Sequence, residues 1–233
     1  MKNVIFFKDA DITSGESIVV YGMNMEVREV DLVYIVGTVG TGTTSIIRTI
    51  IAENPLASGS AEVCGYNLAK MRSRDVPMLR RKLGVVFQDF QLLMDRSVEA
   101  NLDFVLKSTG WKDREAMDKR IAEVLEAVGM QTKAHKMPHQ LSGGEQQRIA
   151  IARAILNSPE VIIADEPTGN LDAETAEGIL QLLMQINREH GTAIVMVTHN
   201  RSIIERYPGR VFVCKDCSCR EIAGEQEIID LDF

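Results

Sequence analysis

Four places in the chain carry residue types and spacings that could do chemistry. Gly37-Thr38-Val39-Gly40-Thr41-Gly42-Thr43-Thr44-Ser45 mixes glycines with hydroxyl side chains. Glycines let the backbone take positive φ and turn successive N–H groups inward, and a helix after such a loop adds partial positive charge. The stretch therefore suits a phosphate. Its spacing fits Gly-x-x-x-x-Gly-Lys-[Ser/Thr] with one departure, because Thr43 holds the lysine position. Thr44 keeps the place of a Mg²⁺-binding hydroxyl. Asp165 and Glu166 are adjacent carboxylates. Asp165 can hold Mg²⁺ with Thr44, directly or through water, and Glu166 can orient or deprotonate a water molecule. Gln88 and His199 each end an apolar run, so both can point into the same crevice. Thr44, Gln88 and Asp165 are the candidate metal ligands; Glu166, His199 and Gln88 are the candidate catalytic groups. Phosphoryl transfer to water needs a phosphate cradle, a metal, a water-orienting group and positive charge, and these residues offer most of that set.

Each residue also has an ordinary explanation. Gln88 could be a surface amide, His199 a loop histidine, and Asp165-Glu166 a helix-capping pair. What points to chemistry is the combination, with each residue at the end of an apolar run. Asp31-Leu32-Val33-Tyr34-Ile35-Val36 reads as a buried strand feeding the glycine-rich loop, and residues 45–52 as the helix after it. Residues 3–8 and 17–27 alternate apolar and polar residues, which predicts strands joined at Ser14-Gly15-Glu16. Residues 59–65 and 84–88 read as further strands. Residues 98–134 take helical spacing, with Gly129 as a cap. Ser142 with Glu145 three residues later predicts a capping box that starts a helix at the Leu141-Ser142-Gly143-Gly144-Glu145 stretch. Residues 161–166 read as a central parallel strand delivering its carboxylates to the carboxyl edge of the sheet, where ligands bind in open α/β folds. Residues 173–190 form a long amphipathic helix and 192–198 another buried strand. The strand–helix alternation predicts an α/β fold with a parallel sheet.

Composition narrows the classes. The chain has 233 residues, is 45% hydrophobic and 25% charged, and carries a net charge of −7, which is globular and disfavours general nucleic-acid binding. No apolar run is long enough for a membrane span, and the N-terminal stretch turns charged too soon for a signal peptide, so a cytosolic protein is expected. The basic residues of 72–82 read as a solvated helix face. Cys214, Cys217 and Cys219 have no fourth ligand nearby, so a strand–turn–strand hairpin that carries thiols is expected there, with an acidic tail after it.

Leu141-Ser142-Gly143-Gly144-Glu145-Gln146-Gln147 is similar to the signature motif of ABC-type ATPases. Together with the 37–45 loop, Gln88, residues 161–166, Asn170-Leu171-Asp172 and His199, the resemblance covers essentially the whole chain. Within the family, Gln88-Asp89-Phe90-Gln91-Leu92-Leu93-Met94-Asp95-Arg96 resembles the cell-division FtsE group. Ala164-Asp165-Glu166-Pro167-Thr168-Gly169-Asn170-Leu171-Asp172 is shared with lipoprotein-release and macrolide-export ATPases as well. The resemblance implies a P-loop nucleoside triphosphatase core with an N-terminal antiparallel β subdomain. Residues 1–88 and 158–233 would form the nucleotide-binding lobe and 89–157 an inserted helical subdomain. It implies ATP and Mg²⁺, and a head-to-tail homodimer sandwiching ATP between the 37–45 loop of one subunit and Ser142, Gly143, Gly144 and Glu145 of the other. Asp172 would signal across that interface. An integral membrane partner resembling FtsX would dock around Gln88 and the helical subdomain, placing the chain in the cytoplasm, peripheral on the inner face of the membrane.

Two departures stand out. Thr43 lacks the charge of the family's lysine. Two unit charges ~4 Å apart at an effective dielectric of ~20 interact by about 4 kcal/mol, so even half of that loss implies impaired hydrolysis or none. The family's adenine-stacking aromatic is also missing around Asp11-Ile12-Thr13, leaving Ile12 for apolar contact and Tyr21 nearby. The ATPase subunit of a lipoprotein-release or macrolide-export transporter is one alternative, and a non-catalytic scaffold module is the other, which Thr43 keeps open.

Overall fold

The computed structural model describes residues 2–38 and 40–222. Val39 and the acidic tail from residue 223 onward lie outside the described residues. Asn3–Ser14 (β1) and Ser17–Arg28 (β2) pair as an antiparallel hairpin. β1 runs well past residue 8 because its pairing continues through several register shifts to the turn. Leu32–Val36 (β3) precedes the glycine-rich loop, and Thr43–Ile50 (α1) follows it. Leu56–Val63 (β4) pairs with β1, and Tyr66–Asn67 (β5) closes a four-stranded antiparallel sheet in the order β2-β1-β4-β5. Val76–Arg80 (α2) leads into Leu83–Phe87 (β6). The basic segment here is not wholly solvated: Arg80 Nε donates to the Ile51 carbonyl at 3.1 Å, where a helix end favours positive charge.

The expected 98–134 helical stretch is split into Val98–Ser108 (α3) and Arg114–Ala127 (α4). The Thr109 hydroxyl bonds back to the carbonyls of Val105 and Leu106, ending α3. Gly129 caps α4 as its sequence position suggests, with Met130 N–H on Leu125 O and Gly129 N–H on Glu126 O. Gly143–Ile155 (α5), Val161–Asp165 (β7), Ala173–His190 (α6), Ala193–Val197 (β8) and Arg201–Arg206 (α7) follow. Arg210–Lys215 (β9) and Ser218–Ile222 (β10) form the cysteine hairpin, with Cys214 directly opposite Cys219.

The second sheet runs β10-β9-β3-β8-β7-β6, parallel except for β10. It forms the middle layer. Alternate residues of each strand face opposite ways. Val33, Ile35, Val161, Ile163, Val195 and Val197 join the core shared with α1 and the antiparallel sheet. Tyr34, Val36, Ile162, Ala164, Ile194 and Met196 join the core shared with α3–α6. Burial on both faces is why these strands read as unbroken apolar runs. No helix among the described residues is long and apolar enough to cross a membrane.

Buried Asn101 on α3 holds the segment before that helix. Its Oδ1 accepts from Leu93 N–H, and its Nδ2 donates to the carbonyls of Leu93, Arg96 and Ser97. Asn101→Ala strands these groups and is expected to lower unfolding free energy by about 2–3 kcal/mol. Urea unfolding checks this; a loss under about 0.5 kcal/mol would mean that water replaces the bonds.

Candidate functional site

Strand register decides which loops meet. Ile35, Val197, Asp165 and Phe87 lie in one row across β3, β8, β7 and β6. The residues next in sequence therefore leave the sheet together: the glycine-rich loop, His199 just beyond Thr198, Glu166 and Gln88. This is the carboxyl edge that open α/β sheets use for ligands.

In the loop, Thr41 N–H and Oγ1 both donate to the Thr38 carbonyl, at 3.1 and 2.7 Å. Gly37 admits no side chain, since a Cβ there would sit 2.4 Å from Thr41 Oγ1 and 2.7 Å from the Cys214 carbonyl. Gly42, at φ 95°, precedes α1, and a Cβ would meet Val20 Cγ2 at 2.8 Å. Thr43 opens α1, Thr44 is exposed, and Ser45 is buried with its carbonyl taking the Thr49 hydroxyl.

Thr44, Gln88 and Asp165 line one cleft of about 380 Å³, with Arg48, Asp89 and Asn170. Burial raises the pKa of Asp165 above its ordinary 3.8, neighbouring Glu166 raises it further, and Arg48 opposes the shift. Hydroxyl, amide and carboxylate oxygens are hard donors, and a half-buried carboxylate with no ion pair among the described residues is suited to a divalent cation. The set fits Mg²⁺, which needs few protein ligands when phosphate supplies the rest. Arg48 went unnoticed in the sequence; its spacing of four from Thr44 puts both on one helix face.

Glu166 and His199 meet directly. Glu166 Oε1 accepts from His199 Nδ1 at 2.6 Å and from His199 N–H at 3.0 Å. Neither Asp165 nor Glu166 caps a helix; Asp172 caps α6 through Thr175 N–H and hydroxyl at 3.0 and 2.6 Å. Gln88 leans on the loop after β7, with Nε2 donating to Asn170 Oδ1 at 3.2 Å and its carbonyl accepting from Asn170 Nδ2 at 3.1 Å.

Ser142, Gly143, Gly144 and Glu145 open α5 with the expected capping box: Ser142 N–H on Glu145 Oε2 at 2.9 Å and Glu145 N–H on Ser142 Oγ at 3.3 Å. None of them lines the Thr44–Asp165 cleft. Ile12 is fully buried in the core, which corrects its expected role in apolar contact with a base. Tyr21 on β2 is 55% exposed. Arg153 also escaped sequence reasoning. It donates to the carbonyls of Phe90 and Gln91, so α5 holds the segment after Gln88.

The pattern describing the ABC transporter family matches residues 20–169. The chain belongs to the ABC transporter family. It is similar to the cell division ATP-binding protein FtsE of Streptococcus pneumoniae (serotype 2, strain D39), 45% identical over 195 residues that cover 84% of each chain. FtsE of Bacillus subtilis (strain 168) is 42% identical over 195 residues, 84% of this chain and 85% of that one. The dimeric post-hydrolysis state of the ATP-binding cassette MJ0796 bound to ADP and Pi superposes with a TM-score of 0.80 at 30% identity, covering 94% and 99% of the two chains. By family the chain is an ABC-type ATPase, with the α/β cassette fold and antiparallel β layer expected of it.

Because the folded state keeps a proton on Asp165 to higher pH than the unfolded chain does, stability falls as pH rises from about 3.8 through the raised value, and the penalty persists at neutral pH. Asp165→Asn is expected to raise Tm near pH 8 and to raise it less near pH 4. Thermal melts at both pH values check this; an equal gap at both would assign the effect to packing.

Proposed function

We propose that the chain is the ATP-binding subunit of an FtsE–FtsX-like membrane complex acting in cell division, coupling ATP binding and hydrolysis to control of cell-wall hydrolysis. The pairing of Glu166 with His199 at the edge shared by Thr44 and Asp165 carries the ATPase reading. Similarity to FtsE over most of the chain supports the cell-division assignment.

In this reading the loop's N–H groups and the α1 N-terminus hold the β- and γ-phosphates. Thr44, Gln88 and Asp165 would hold Mg²⁺, which supplies positive charge to the phosphate oxygens. Glu166 takes a proton from the attacking water, and His199 fixes the carboxylate's orientation through Oε1. Ser142, Gly143, Gly144 and Glu145 stand away from the cleft in one chain, and a head-to-tail dimer would bring those of a second copy over the nucleotide. Asn170-Leu171-Asp172 would lie at that interface.

Residues 89–157 act as the helical subdomain, between the lobe segments 1–88 and 158–233. Leu93, Met94 and Phe104 expose apolar surface on it, with Arg96 stacked over Phe104 at 4.6 Å. That surface would receive an FtsX-like membrane partner and hold the chain at the inner face of the membrane. With a net charge of −7, no nucleic acid is proposed as partner.

Thr43 sets the activity. A neutral hydroxyl in place of the lysine leaves the phosphates less compensated, so this chain hydrolyses ATP poorly. Thr43→Lys is expected to raise steady-state hydrolysis at least about tenfold. If the lysine variant hydrolyses and the parent does not, the chain is a disabled cassette with its other parts intact. If neither binds ATP, the chain is a non-catalytic scaffold, the second reading that Thr43 favours.

A further inference from the structure

We propose that Gln147 is a positioning residue for Glu166, tying the helix that carries the signature residues to the chain's own catalytic loop. The proposal rests on the reading of Glu166 as the group that activates water. Gln147 is fully buried on α5, and its Nε2 donates to the Pro167 carbonyl at 2.6 Å. A carbonyl only accepts, so the amide must present its nitrogen there. Its Oε1 finds no donor among the described residues. The side chain is thus a buried amide used for one N–H, an arrangement that favours placement over stability.

What it places is unusual. Glu166 has φ 45°, a left-handed conformation that costs a non-glycine residue about 1–2 kcal/mol. The proline after it would push residue 166 toward extended backbone instead. Such a conformer persists only where several contacts fix it. Here Glu166 N–H is held by the Val197 carbonyl at 3.0 Å, and its own carbonyl accepts Gly169 N–H at 3.1 Å. The Gln147 bond to the next carbonyl comes from outside the β7 and β8 ends, from α5.

The start of α5 is firmly seated. A Cβ on Gly144 would come 2.3 Å from Thr175 Cγ2, so the helix lies directly on α6. A shift of Ser142–Gly144 against a second subunit's nucleotide must therefore travel with Gln147, one turn further along the helix. The occupancy of one site would then reach the general base of the other.

The test uses the full chain with Gln147→Leu, which keeps the bulk and removes the donor. Hydrogen exchange of the 166–170 segment, including the Gly169 amide, is expected to quicken at least about tenfold, about 1.4 kcal/mol, with β3 and α6 unchanged and Tm within a few degrees. In a Thr43→Lys background the same substitution is expected to lower kcat about tenfold and leave KM for ATP within twofold. Unchanged exchange at Gly169, unchanged kcat, or a general quickening with a large fall in Tm would each overturn the proposal. If Thr43→Lys itself does not hydrolyse ATP, the ATPase reading fails, and the exchange measurement still decides whether Gln147 positions the loop.

Discussion

The alignment of Ile35, Val197, Asp165 and Phe87 in one row is the constraint on which the site depends. These residues come from strands far apart in sequence, and the pairing register sets their level. One slip in β7 would send each of its side chains into the opposite core and carry Glu166 away from His199. The register cannot slip easily, because each strand is buried on both faces and its alternate residues belong to two different cores. Geometry at the edge is thus inherited from packing deep within the sheet.

Helix α5 is the second organising element. Its N-terminus carries the capping box of Ser142 and Glu145, its middle holds Pro167 through Gln147, and its end holds Phe90 and Gln91 through Arg153. One helix therefore grips the loops after both β7 and β6. The same loops bear Glu166 and Gln88, and Gln88 ties them together through its bonds to Asn170. Asp172, expected to act across an interface, is committed within the chain to Thr175. Capping α6 this way also fixes the direction in which the loop after β7 leaves.

Much of this was legible in the sequence, for physical reasons. The buried strands were continuous apolar runs, residues 173–190 had the amphipathic spacing of α6, and the Ser142–Glu145 box announced α5. The glycine-rich loop was visible through its glycines although Thr43 breaks the pattern. Long-range, single-bond relations were not legible. Gln147 and Pro167 are twenty residues apart with no periodicity linking them, and Arg153 reaches Phe90 from across the fold. Ile12 was misjudged because the strand alternation was read only to residue 8, whereas β1 continues through its register shifts to Ser14 and takes Ile12 into the core. Arg48 was overlooked because nothing in its local pattern distinguishes a cleft-lining arginine from one that merely ends a helix.

The parallel sheet is a wall common to two cores, and this has a thermodynamic consequence. The antiparallel layer cannot peel away without exposing Val33, Ile35, Ile163 and Val195, and the helices cannot leave without exposing Tyr34, Ile162, Ile194 and Met196. Either loss uncovers a face of the same strands, so partial opening is costly and the described part of the chain is built to melt cooperatively. A ligand seated at the end of that wall touches strands that belong to both layers. Its binding energy is therefore felt throughout the unit, so occupancy of a small edge cleft can stabilise helices and antiparallel sheet alike.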